Sequence, residues 1–316
     1  VRVWLGFTLA LACLTLGCQR GNPRDARIGA PHNFPEPPAP KNEAPGSNVP
    51  ADVVERGALP FHGFREKDDT ALSARDFLDE LSEADVICIG ENHGNPHDHW
   101  AELQILHGLF ERTTMNGKDL AVGLEMVDRS RQPILERYRT DEIEEPAFLK
   151  EVEWSERWGF DFSYYRPQLV LAKEHQLGML GLNLPRELSQ KLARGGLESL
   201  NEKERARLPG DMDLYDEDHR AWFDQAMKGH PPPITDHDNL YLAQVAWDET
   251  MAETAARWLR KKVPGRQLVI LAGSGHCRTD AIPARLTRRV SAKVFNVKPM
   301  IVAEKESPCE KIDGYA

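Results

Sequence analysis

Four stretches of the chain are apolar enough to be buried strands, and each runs into glycine or a polar residue. They are 85–89 (Asp-Val-Ile-Cys-Ile), 120–124 (Leu-Ala-Val-Gly-Leu), 179–182 (Met-Leu-Gly-Leu) and 267–271 (Gln-Leu-Val-Ile-Leu). Short apolar runs bounded by turn residues are the pattern of strands covered on both faces. Between them the apolar positions recur at helical spacing. Ser73 to Asp76 reads as a capping box before Phe77, Leu78 and Leu81. Asn95-Pro96 supplies an N-cap and a first-turn proline for a helix to about Phe110, with Leu103, Leu106 and Phe110 on one face. Asp128 or Ser130 caps a helix with Pro133 in its first turn, and a polar helical stretch follows over 144–156. Further helices open at Ser163, running to His175, and at Pro185. From 197 to 262 only helical signals occur, the longest from Thr235 to Lys261, and Ala292 to Val302 reads as one or two edge strands. The alternation predicts an α/β fold: a mainly parallel central sheet flanked by helices, with a helical insertion (about 197–262) before the last motif strand.

The first 18 residues lie outside this pattern. Arg2, an apolar run from Val3 to Leu16 and Gly17-Cys18 read as a secretory signal, too short to span a membrane. Leu14 to Cys18 resembles a bacterial lipobox, with Cys18 the lipid-modified residue. Residues 19–51, rich in Pro, Ala, Asn and Gly, read as a disordered tether to a domain over 52–304, followed by a tail over 305–316. The expected location is therefore exported and lipid-anchored to the bacterial cell envelope, at the outer membrane or periplasmic face. A net charge of −10 gives no footprint for a general nucleic-acid binder. Of five cysteines, Cys88, Cys277 and Cys309 fall beyond the signal. The odd number without a CxxC pair predicts no disulfide framework. Cys88 reads as strand filling, and Cys277, beside His276, as a small apolar residue or a thiolate ligand.

The polar residues that end the strands carry the candidate chemistry. Glu91 with His93, then Glu125, Asn183 and His276 follow the four apolar runs. If the strands run parallel these loops share one rim, where α/β sheets collect ligands. Carboxylates and imidazoles there suit acid–base work or a metal held by Glu91, His93 and His276. His97 and His99 fall in a helix first turn, where the dipole favours neutral imidazole; they are either ligands or packing residues. Tyr164 and Tyr165 adjoin Arg166, and a guanidinium favours phenolate, a donor for ferric haem iron. Arg166, Lys173, Arg186 and Lys191 are then candidates for propionates. The alternative is a set of core aromatics beside a solvated basic face. The helix through Trp247-Asp248-Glu249-Thr250-Met251 reads as structure.

At these residues the chain resembles the ChaN haem-binding uptake lipoproteins of the Tiki/TraB and erythromycin-esterase-like superfamily. The resemblance rests on Gly90-Glu91-Asn92-His93-Gly94 with His97 and His99, on Gly123 to Met126, Tyr165-Arg166-Pro167 and Leu182 to Leu188. It continues through Ala243 to Ala252, Ala272 to His276 and Ile282 to Leu286. It implies a lipid-anchored haem binder serving an outer-membrane haem transport system. Such a protein holds a cofacial haem pair in a homodimer, with Tyr165, or Tyr164 one register away, on the iron. The wider superfamily implies an alternative, a hydrolase of peptides or esters dependent on Mn, Co or Zn. In that reading Glu91, His93, Glu125 and His276 are catalytic.

Overall fold

The computed structural model describes residues 61–228, 236–260 and 265–300, without the side chains of 114–116. The signal, Cys18, the tether, residues 52–60, both expected ends of the long helix (Thr235 and Lys261), Val302, Cys309 and the tail lie outside the described residues. A short antiparallel hairpin of β1 (Gly63–Arg65) and β2 (Thr70–Leu72) opens the described chain. Ser73 then caps α1 (Ala74–Ser82), its side chain accepting from the Asp76 amide.

The apolar runs become the five-stranded sheet. Its members are β3 (Val86–Glu91), β4 (Asp119–Asp128), β5 (Gly178–Asn183), β6 (Arg266–Gly273) and β7 (Val294–Val297), in the order β5-β4-β6-β3-β7. Every pairing is parallel. Parallel neighbours need crossovers, and helices supply them. α2 (Pro96–Asn116) leads from β3 to β4. α3 (Gln132–Arg139), α4 (Glu145–Glu151), α5 (Trp154–Arg157) and α6 (Arg166–Glu174) lead to β5. α7 (Arg186–Gly195), α8 (Glu202–Arg205), α9 (Glu217–Ala226) and α10 (His237–Leu259) lead to β6, and α11 (Ile282–Arg289) to β7. The return to β6 fills the gap between β3 and β4, so three adjacent strands present their carboxyl ends together.

Two details depart from the sequence pattern. The polar stretch over 144–156 divides into α4 and α5, because Glu153 takes a left-handed conformation (φ 56°) between them. And α10, at the end of the helical stretch, belongs to the sheet's own cover. Its Met251, Ala252, Ala255 and Trp258 pack with Val86, Cys88, Leu268 and Ile270 of the sheet and with Ile282 and Leu286 of α11. The neighbouring Glu249 is buried and gathers Arg285, Arg288 and Arg289 of α11 at 3.4, 2.8 and 2.6 Å. Its Oε1 also accepts the Asp213 amide at 2.8 Å, tying the segment before α9 to the same point.

Cys88 of β3 and Cys277, in the turn after β6, form a disulfide. This corrects the expectation of strand filling and of a free or ligating thiol. Cysteine parity counts residues but not proximity, and here two of three pair across 189 positions with both side chains fully buried. In the chain-entropy model a loop of that length destabilises the unfolded state by about 5 kcal/mol. Under reductant the urea midpoint of the folded domain falls sharply. Mass spectrometry of the non-reduced protein recovers one linked peptide pair carrying Cys88 and Cys277.

Candidate functional site

β3 pairs with β6 from Val86↔Leu268 to Glu91↔Gly273, and β4 pairs with β6 as far as Leu124↔Leu271. That register brings Glu91, Gly273 and Glu125 to one end of the sheet. Glu125 therefore lies within its strand, which continues to Asp128, and not on a loop after it. Its Oε2 accepts the Gly273 amide at 2.7 Å. Side chains alternate along a strand. Glu125 shares the parity of Ala121, which packs with α10, whereas Glu91 has the opposite parity to Cys88 on that face. The two carboxylates therefore serve different faces of the sheet at the same edge.

On the Glu91 side, a short loop leads from β3 into α2. Asp98 organises it: its Oδ2 accepts from the Asn92 amide and side chain at 2.8 and 2.9 Å, and its Oδ1 from Asn95 at 2.7 Å. Asn95 Oδ1 accepts the His97 amide, as expected of an N-cap. His93 returns over the sheet edge with Nδ1 2.6 Å from Glu91 Oε1, and the Tyr165 hydroxyl donates to the same oxygen at 2.8 Å. His99 Nδ1 lies 3.0 Å from Glu91 Oε2 and 3.0 Å from Glu102 Oε2. Only the contact with Glu102 has hydrogen-bond geometry, so Glu91 Oε2 is buried without a hydrogen-bond partner. His99 Nε2 reaches the His93 carbonyl at 3.1 Å.

On the Glu125 side, His276 stands between two carboxylates, with Nε2 3.3 Å from Glu125 Oε1 and Nδ1 2.6 Å from Asp248 Oδ1. Asp248 Oδ2 lies 3.0 Å from His219 Nε2, and His219 Nδ1 lies 3.2 Å from the Tyr241 hydroxyl. His93 links the sides. A side-chain carbon on Gly273 would come within 2.9 Å of its ring, so only glycine lets the imidazole lie over this edge.

Burial and charge set the protonation of these groups. Burial alone would lower His99, but Glu102 and Glu91 push it up to about 10. The expected neutral imidazole is thus corrected: two carboxylates outweigh the helix dipole. Burial would raise the Glu91 carboxyl, yet His93 and His99 hold it well below the ordinary range. Glu102, buried and facing the Glu91 charge, is raised well above it. Burial would lower His276, but Glu125 and Asp248 hold it far above its ordinary value. Burial would raise both of those carboxyls, and the same imidazolium keeps them low. Each face thus carries a buried imidazolium flanked by two carboxyl groups.

The remaining expected site residues are dispersed. Tyr165 is fully buried, and burial followed by the Glu91 charge pushes its phenol far above its ordinary value. Arg166, expected to stabilise a phenolate, instead pairs with Glu145 at 2.8 Å. Lys173 pairs with Asp141 at 2.8 Å and lies over the Tyr138 ring. Both cations are thus engaged in ion pairs at the surface, while burial and the Glu91 bond correct the phenolate argument for Tyr165. Arg186 is half-buried in the first turn of α7, and His97 is exposed in that of α2. Asn183 braces the edge, its amide donating to the Glu125 carbonyl at 3.0 Å.

Tyr164, by contrast, is half-buried and stacks on His99 with centroids 5.0 Å apart. Trp158 and Phe160, also half-buried, flank His93 at 4.7 and 4.9 Å. Together they make an aromatic rim. Sequence reasoning missed Glu102, Asp98, Asp248 and His219. Asp248 lay within a recognised motif, Glu102 one helical turn after His99, and His219 carried no local signal. Among the described residues, the group able to hold a metal is Glu91, His99 and Glu102, whose donor atoms lie within 4.8 Å of one another.

Residues 77–286 match the family described as haem-binding uptake, Tiki superfamily, ChaN. No curated protein matches the chain. Among solved structures the chain is similar to ChaN of Campylobacter jejuni with cofacial haem. Identity is 22%, with 80% of this chain and 94% of that chain covered at a TM-score of 0.62, so the two share the fold. It is also similar to an erythromycin esterase variant in its open conformation, at 12% identity, coverage of 71% and 72%, and a TM-score of 0.42. That last likeness is too distant to carry an argument.

The pH dependence of stability follows from these directions. His99 is held above its ordinary 6.5, so its contribution is complete below that pH and is lost as pH rises through about 10. In chelator-treated protein the urea midpoint therefore falls between pH 6.5 and 10. His99→Gln flattens that slope without abolishing it, because His276 acts with the same sign. Glu91 is held below its ordinary 4.5, so its contribution is complete above that pH and fades as pH falls.

Proposed function

Because this chain belongs to the ChaN haem-binding uptake family of the Tiki superfamily, we propose that it binds haem at the cell envelope, as a cofacial pair between two copies, for iron uptake. The observation that carries the reading is the family match over residues 77–286, two thirds of the chain. Haem supplies an iron that takes an anionic oxygen ligand and a flat apolar face that needs cover. The rim fits both requirements. Tyr164 is the phenol within reach of a ligand, and Trp158 and Phe160 offer the aromatic cover. Burial and its bond to Glu91 remove Tyr165 from that role, so we assign the iron to Tyr164. Of the four cations expected from the sequence, Arg166, Lys173 and Lys191 are engaged in ion pairs, and Arg186 is the first candidate for a propionate.

Export is supported by the Cys88–Cys277 disulfide, since such bonds persist in oxidising compartments. Attachment through lipid on Cys18 and the tether follow as part of the proposal. A hydrolase reading with a bound Mn, Co or Zn ion is favoured by one observation. Asp248 holds His276 Nδ1 and directs Nε2 toward Glu125 at the sheet edge, the orientation of an acid–base imidazole.

Hemin added to the apo-domain gives a saturable Soret band and, in size-exclusion, a haem-dependent shift to dimer. Tyr164→Phe moves the band and weakens binding by at least about tenfold, a loss expected for an iron ligand, whereas Tyr165→Phe preserves the spectrum. An unchanged titration in Tyr164→Phe would remove the ligand assignment. A peptide and ester screen with added Mn²⁺, Co²⁺ or Zn²⁺ tests the second reading; turnover insensitive to His276→Ala would dismiss it.

A further inference from the structure

The haem reading draws on the rim and leaves the buried cluster of Glu91, His99 and Glu102 without a task. We propose that these three residues hold a divalent first-row transition-metal ion. Their exposures are 1%, 4% and 0%, so no solvent satisfies them. Glu91 Oε2 and Glu102 Oε1 are buried without a hydrogen-bond partner. A buried carboxylate oxygen without a donor is a rare arrangement in a folded protein. A cation bound there satisfies such oxygens directly.

The spacing suits an ion. Metal–oxygen and metal–nitrogen bonds of about 2.0–2.2 Å set adjacent ligand atoms about 3 Å apart at right angles. His99 Nδ1 lies 3.0 Å from Glu91 Oε2 and 3.0 Å from Glu102 Oε2.

The outer partners are arranged as a ligating imidazole requires. His99 places Nε2 3.1 Å from the His93 carbonyl, a contact that keeps a proton on Nε2, so that the proton an ion displaces is the one on Nδ1, facing the carboxylates. Glu91 is fixed through its other oxygen by the Tyr165 hydroxyl at 2.8 Å. Glu102 Oε2 accepts from Gln168 at 3.1 Å, and the same amide donates to the His99 carbonyl at 2.8 Å. Each of the three ligands thus has a named brace. Two carboxylates and one imidazole without a thiolate suit Zn²⁺, Mn²⁺ or Fe²⁺ and disfavour copper(I). Ligands bind an ion deprotonated, so binding releases the proton on His99 Nδ1.

The test uses haem-free protein, verified by the absence of a Soret band. Metal content is measured as isolated and after chelation under denaturant, with the disulfide intact, followed by refolding with Zn²⁺, Mn²⁺ or Co²⁺. The expected result is one ion per chain, a higher Tm with metal, and X-ray absorption showing one nitrogen and two carboxylate donors. Glu102→Gln, isosteric with the native residue, loses the ion, and Gln168→Leu binds it about 10- to 100-fold more weakly. Tyr164→Phe retains it, which separates this site from haem binding. Wild-type protein that takes up none of the three metals overturns the proposal. So does a folded Glu102→Gln variant with unchanged metal content, or an absorption spectrum without nitrogen and carboxylate ligands.

Discussion

The parallel registration of β6 between β3 and β4 is the constraint on which the site depends. It sets Glu91 opposite Gly273 and lets the Gly273 amide bind Glu125, so strands far apart in sequence end at one level. Alternation then sends the two glutamates to opposite faces, each toward a different helical layer. A one-residue slip of β3 would put Gly90 or Asn92 in the place of Glu91 and turn the carboxylate toward α10. Registry is protected by the apolar core of the strands and by the Cys88–Cys277 link, which joins β3 to the turn after β6. The chemistry at the edge is thus fixed by packing several residues below it.

Charge pairing explains the rest of the arrangement. A helix dipole contributes about 0.3–1 kcal/mol at a first-turn residue. An ionised carboxylate 3.0 Å from His99 contributes about 5 kcal/mol at an effective dielectric near 20, before desolvation is deducted. The carboxylates therefore decide the protonation of His99, and the same comparison applies to His276. Such buried pairs add little net stability, but loss of one member leaves an uncompensated charge at a cost of about 3–5 kcal/mol. The imidazoles and carboxylates are mutually obligatory, which makes each cluster a rigid unit.

The sequence was legible wherever a local pattern carried the information. Apolar runs marked the strands, although β4 continues past its run to Asp128; Ser73 and Asn95 marked helix starts, and glycine and proline positions marked turns. Glu91, His93, Glu125 and His276 were found because each falls in the short polar segment that follows an apolar run. What escaped was tertiary. His219 meets Asp248 only because α9 lies beside α10. Cys277 meets Cys88 only because β6 occupies the gap beside β3. Tyr164 and Tyr165 are neighbours in sequence with opposite fates, since a helical start turns one phenol into Glu91 and leaves the other beside His99 at the rim. No one-dimensional periodicity separates them.

That division between buried and exposed residues bears on how the family's marker motifs relate to ligand. Glu91, Glu125 and His276 are nearly or fully buried, and each satisfies another member of the set. A porphyrin is too large to reach such groups without opening the sheet edge, whereas an ion or a proton needs only the donor atoms. In the proposed reading, the buried motif residues therefore serve small charged species. The surface suited to a large planar ligand comes from Trp158, Phe160 and Tyr164, in the less patterned segment between α5 and α6. On the proposed reading, two ligand scales share one sheet edge. His93 and His99 each touch both: His93 bonds Glu91 beneath and packs on Trp158 and Phe160, and His99 meets Glu91 and Glu102 and stacks on Tyr164.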